Sequence, residues 1–125
     1  MYSRDSVQRK MCELGLSTRI KEQSDIITIH LVKNRSVGRI SLCNNDGYWE
    51  TESIPGIPAK YKGKGIGLYL YEELIRYGLD KGLEVWSSSH GCRSGEANRV
   101  WLKLKKRFRV RNIKREERYR VYGRL

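Results

Sequence analysis

A chain of 125 residues, 38% hydrophobic and 32% charged, reads as one domain around a single modest core, which excludes two independently folded units. No apolar run approaches the ~18 residues that a membrane-spanning helix needs, and residues 1–5 lack the apolar centre of a signal peptide, so a cytoplasmic protein is expected. The formal charge is +12, and the segment 99–125 alone holds twelve Lys or Arg against Glu116 and Glu117, which points to an anionic partner: nucleic acid, an acidic protein or a phosphorylated cofactor.

Val7, Met11, Leu14 and Leu16 lie near helical spacing behind Ser3 or Ser6 as a cap. They predict a short amphipathic helix ending at Gly15, then a polar linker at 21–24, so that 1–24 leads into a core over 26–122. Residues 26–32 are β-branched and alternate, with Ile27, Ile29 and Leu31 on one strand face and Thr28 and His30 on the other. His30 reads as a surface or hydrogen-bonded histidine rather than a catalytic one. A turn at 33–36 leads to a second strand over 37–43. Asn44-Asn45-Asp46-Gly47 supplies the positive φ angles of a tight hairpin, and a third strand follows over 48–54. Pro55, Gly56 and Pro58 then predict a bulge or a splayed strand end.

The next segment is Tyr61-Lys62-Gly63-Lys64-Gly65-Ile66-Gly67, followed by a helix predicted over 65–81 with Ile66, Leu70, Leu74 and Tyr77 toward the sheet. Glycine allows left-handed angles and close approach to the main chain. A helix starting directly after such a turn presents unpaired N–H groups and its positive dipole end, which suits a phosphate or pyrophosphate. A strand over 83–88 follows, and this β-α-β unit predicts that the strands on either side of the helix are parallel. The polar loop 89–96 holds His90, Cys92 and Ser94, with Ser94 as the cap of a helix over 95–107 whose Ala97, Val100, Trp101 and Leu104 face inward. Residues 108–111 and 118–122 alternate with period two and read as closing strands around a charged turn at 112–117. Cys12, Cys43 and Cys92, an odd number at unrelated spacings, read as reduced thiols, and His90-x-Cys92 without a second pair predicts no metal site.

This order of elements, together with Lys62-Gly63-Lys64-Gly65-Ile66-Gly67, resembles the GNAT superfamily of N-acetyltransferases and its Q/R-x-x-G-x-G/A acyl-CoA motif, with lysine at the Gln/Arg position. Glu96-Ala97-Asn98-Arg99-Val100-Trp101-Leu102-Lys103 is similar to the later helix of that family, A-x-x-L-Y-E-K. The likeness covers roughly 26–122. The short N-terminal part is similar to compact phage and bacterial members, in which the first strand and paired helices are reduced. The resemblance implies a mixed α+β (α/β) fold, a mainly antiparallel sheet with a central β-α-β unit and flanking helices. It implies acetyl-CoA as cofactor, with its pyrophosphate on Gly63, Lys64, Gly65, Ile66 and Gly67, charge from Lys62 and Lys64, and pantetheine along the main chain up to Ile57. Ser94 joins the cofactor contacts, and part of the basic segment meets the ribose phosphate. It implies transfer of an acetyl group to a primary amine by direct attack on the thioester, with Glu52 or Glu50 on the preceding strand as general base. The family's acid, a tyrosine, aligns with Trp101, whose indole cannot protonate a thiolate, so Tyr119, Tyr122, His90 and Cys92 are the substitutes. The acceptor is open: a protein lysine or N-terminus, a small amine, or an aminoacyl group on tRNA.

A second reading is a non-catalytic nucleic-acid-binding module, or a nucleic-acid-modifying enzyme, on the same scaffold. The alternation in 108–111 and 118–122 puts arginines on one strand face with aromatic rings nearby.

Overall fold

Alternation of apolar and polar residues builds a seven-stranded sheet in the computed structural model, which describes residues 3–52, 56–88 and 95–125, with the backbone alone at Glu96. Helix α1 (Arg4–Glu13) is capped by Ser3, whose side chain accepts from the Ser6 N–H. Strands β1 (Ser17–Gln23), β2 (Ile26–Lys33), β3 (Arg35–Asn45) and β4 (Tyr48–Thr51) form an antiparallel meander. The β3–β4 hairpin turns on Asp46 and Gly47, both at positive φ (53° and 96°), as the Asp-Gly pair demands. A single turn of 3-10 helix (Ala59–Tyr61) leads into α2 (Ile66–Asp80) and then β5 (Val85–Trp86), which pairs parallel to β4. Helix α3 (Gly95–Leu104) and the hairpin of β6 (Phe108–Ile113) and β7 (Arg118–Arg124) complete the order β1-β2-β3-β4-β5-β7-β6.

The expected mixed α+β class, the meander and the parallel crossover are all present. Residues 21–24 are not simply a linker: 17–23 form β1, joined to β2 through the turn at Ser24 and Asp25. β1 is an edge strand exposed on both sides apart from a half-buried Ile20, so it carries no alternation to read. The strand expected over 83–88 pairs only at Val85 and Trp86, and the helix expected to 107 ends at Leu104. The end of the third strand at 53–54, with Pro55, and the loop 89–94 lie outside the described residues.

One face of the sheet carries the core. Ile27, Ile29, Leu31, Ile40, Leu42, Val85 and Val121 are buried on the side that α2 covers. The helix comes close to the sheet at Gly78, where a Cβ would stand 3.0 Å from Leu42 Cδ2 and 3.3 Å from Val85 Cγ2. α1 joins this side through Val7 and Met11, and α3 through Ala97, Leu104 and Trp101, the last stacked on Tyr119 at 5.6 Å between centroids. Glu72 of α2 is fully buried and ties these pieces together. Its Oε1 is 3.0 Å from Arg76, 3.2 Å from Arg107 after α3, and 3.8 Å from Arg4 of α1, whose guanidinium also pairs with Glu73.

Candidate functional site

The glycine turn sits where α1, α2 and α3 converge. Gly63 and Gly65 have φ of 78° and 80°, left-handed values that cost an L-residue roughly 1–2 kcal/mol each. Gly65 is the N-cap of α2, and the first helical bond runs from Tyr69 N–H to Gly65 C=O at 3.0 Å. The amides at the start of α2 therefore leave its end unpaired by the helix ladder, where the dipole is positive. Ile66 is fully buried and pins this end to the core, so it offers the site only its backbone.

A second strip of backbone is held beside the turn. Arg39 and Gly56 exchange two backbone hydrogen bonds of 3.0 Å, an isolated bridge off β3. The approach depends on Gly38, where a Cβ would lie 2.9 Å from the Gly56 carbonyl oxygen and 3.2 Å from Pro58 Cδ. Ile57, next in the chain, is thereby placed against the first turn of α2: a Cβ on Gly67 would be 3.4 Å from Ile57 Cδ1.

Between these pieces lies a cleft of about 450 Å³ lined by Ile57, Tyr61, Lys62, Gly63, Gly65, Gly67, Leu68, Arg99, Val100 and Lys103. A smaller hollow of about 260 Å³ adjoins it through Gly63, Gly65, Leu68 and Lys103 and adds Lys64 and Lys10. Five cationic side chains, Lys10, Lys62, Lys64, Arg99 and Lys103, thus border the two hollows, with no carboxylate among the described lining residues. Cations beside helix amides make an anion site, and Ile57, Leu68 and Val100 give it an apolar wall.

Of the residues singled out in the sequence, Ile57, Lys62, Gly63, Gly65 and Gly67 meet in the first hollow and Lys64 in the second. Ser94, His90 and Cys92 lie outside the described residues. Glu50 and Glu52 do not line the cleft. They flank Cys43 on the sheet face opposite α2, and the Cys43 thiol is pushed above its ordinary range, first by burial and then by these two carboxylates. Glu50 is paired with Arg118 at 2.6 Å, whereas Glu52 has no ion pair among the described residues. Tyr119 faces the core side, under Trp101 and with Lys105 Nζ 4.7 Å from its ring centroid. Lys10 and Lys103 were not singled out in the sequence. Lys103 lay within the basic segment, but Lys10 gives no local signal, because only the packing of α1 on α2 brings it to the turn.

No protein-family model and no curated protein matches the chain. Among solved structures it is similar to the PaiA N-acetyltransferase of Thermoplasma acidophilum in complex with coenzyme A, at 19% identity with a TM-score of 0.53. That match covers 79% of this chain and 61% of the other, so the chain spans less than two thirds of that protein's length. A protein of Klebsiella pneumoniae assigned to the acyl-CoA N-acyltransferases matches at 15% identity and a TM-score of 0.46, over 70% of this chain and 60% of the other. The first likeness gives the chain the GNAT-type fold.

Proposed function

We propose that the protein is an acyl-CoA-dependent N-acyltransferase, with acetyl-CoA as donor and a primary amine as acceptor. The observation that carries this reading is the left-handed glycine turn at the start of α2 set among five cations. Coenzyme A offers a pyrophosphate and a further phosphate, and the residues present suit both. Amides of residues 63–67 with Lys62 would hold the pyrophosphate, while Lys10, Lys64, Arg99 and Lys103 meet the remaining phosphate charge. Backbone at Ile57 runs alongside for the amide-bearing arm, and Leu68 and Val100 exclude water from it.

Bound acetyl-CoA supplies an activated thioester. The chain's own task is then to remove a proton from the attacking amine. Glu52 is the better base, because its carboxylate has no ion pair among the described residues, while Glu50 is occupied by Arg118. Tyr119, buried against Trp101 on the other side of the sheet, is left in a packing role by this reading.

Calorimetric titration with acetyl-CoA and with CoA tests the reading. Wild-type protein should bind both in the micromolar range, and a variant carrying Gly65→Val and Gly67→Val should lose that binding while keeping its circular dichroism. Absence of heat from the wild type at millimolar ligand would overturn the proposal.

A further inference from the structure

The sheet face opposite the helices carries a row of alternating rings and guanidinium groups. Arg111 of β6 lies 5.2 Å from the Tyr122 ring centroid, and Arg120 of β7 lies 4.7 Å from the same centroid. Arg120 also lies 5.5 Å from the Trp86 ring of β5, which meets Tyr48 of β4 at 5.9 Å. Arg118 closes the row, 5.5 Å from the Tyr48 centroid. Register explains why they share a face: Arg111, Arg120 and Trp86 are cross-strand partners, and Glu50 pairs with Trp86 beside them.

Such a row needs an explanation beyond folding. The helices bury the other face, and Tyr122 is 44% exposed here. Carboxylates answer only part of the charge: Glu50 pairs with Arg118 and Glu84 with Arg120, while Arg111 has no acidic partner among the described residues. Positive charge continues at both ends. A hollow of about 500 Å³ holding Lys105, Arg109, Arg111 and Tyr122 lies at the β6 edge. Toward β1, Arg19, Lys21 and Arg39 surround His30 and, after burial, help hold its imidazole below its ordinary range.

We propose that this face is a platform for single-stranded RNA, with unpaired bases stacking on Tyr122, Trp86 and Tyr48 and phosphates meeting the flanking arginines. Adjacent rings on an open sheet suit unpaired bases, whereas duplexes keep their bases stacked inside. The exposed Asn45 amide donates one N–H to the Tyr48 hydroxyl at 3.1 Å and keeps a second for a sugar 2′-hydroxyl, the group that distinguishes RNA from DNA. The cofactor cleft lies among the helices; Glu50 and Glu52 share the platform's face, but the binding experiment does not depend on the proposed transfer reaction.

Fluorescence anisotropy with a labelled ten-residue oligouridylate tests it against oligothymidylate of the same length and a double-stranded RNA. The single-stranded RNA should bind most tightly and lose affinity steeply with salt. Tyr122→Ala changes no charge at an exposed position and should weaken binding about 5- to 150-fold, the worth of one stacked base, while Tyr122→Phe restores it. Arg9→Ala, on exposed α1, should leave it within about twofold, the difference expected of one remote charge. Equal or tighter binding of the DNA strand or the duplex would overturn the proposal. So would indifference to Tyr122→Ala, or a loss in Arg9→Ala as large as in Tyr122→Ala.

Discussion

Glu50 is paired with Arg118, whereas Glu52 has no ion pair among the described residues. Period-two spacing on the third strand was enough to put them on one face, but the partner of Glu50 is Arg118, brought across the sheet from a strand near the other end of the chain. Such a pairing leaves no trace in local sequence. The consequence is measurable. With Glu52 as the base we propose, Glu52→Gln should lower kcat for acetyl transfer by about 10²- to 10⁴-fold, the usual loss on removing a general base, with acetyl-CoA affinity unchanged in calorimetry. Glu50→Gln should cost much less. Cys43 provides a readout independent of turnover: each substitution removes a negative charge that holds its thiol above the ordinary range. Alkylation of Cys43 at fixed pH should therefore speed up in both variants yet stay slower than at exposed Cys12, because burial, the larger cause, remains. Unchanged alkylation in both would remove the carboxylates from the neighbourhood of the thiol.

Elements with one buried face were legible, and those without were not. Ile27, Ile29 and Leu31 announce β2 because each points into the core, and Lys62 to Gly67 announces the turn because only glycine takes the angles at Gly63 and Gly65 without strain. β1 has no such signature and is fixed instead by tertiary contacts. Its Glu22 reaches the end of α2, 2.6 Å from Lys81 Nζ, and accepts a hydrogen bond of 2.7 Å from the Tyr77 hydroxyl. The Lys81 hydrogen bond, then that from Tyr77, hold the Glu22 carboxyl below its ordinary value of 4.5. A depressed carboxyl stabilises the fold above the unfolded value and ceases to do so as the pH falls through the folded one. Wild-type protein should accordingly melt at a slightly higher temperature than Glu22→Gln near neutrality. The gap, small for so exposed a pair, should close below pH 4.5 as the carboxyl takes up its proton. A gap that persists unchanged in strong acid would show that the tether acts by some other means.

At the scale of the molecule, one buried carboxylate ties together the three helices that form the cleft at the glycine turn. Lys10 comes from α1, the glycine turn opens α2, and Arg99 and Lys103 come from α3, so the cleft exists only while these elements keep their places. Glu72 sits beneath them with Arg4, Arg76 and Arg107 around it. Breaking a buried ion pair from one side leaves charge uncompensated and costs about 3–5 kcal/mol. Glu72→Ala should lower the unfolding free energy in urea by about that amount. Because the chain also carries +12 overall, loss of the Glu72 charge would add to a repulsion that is already one-sided. The milder Arg4→Ala leaves Glu72 two arginines and releases α1 alone. It should cost little global stability and yet weaken acetyl-CoA binding several-fold, since Lys10 is no longer held at the turn. Calorimetry beside urea denaturation separates the two effects. If Arg4→Ala binds as tightly as the wild type, α1 contributes nothing to the cleft, and the phosphate charge is met from α3 and the turn alone.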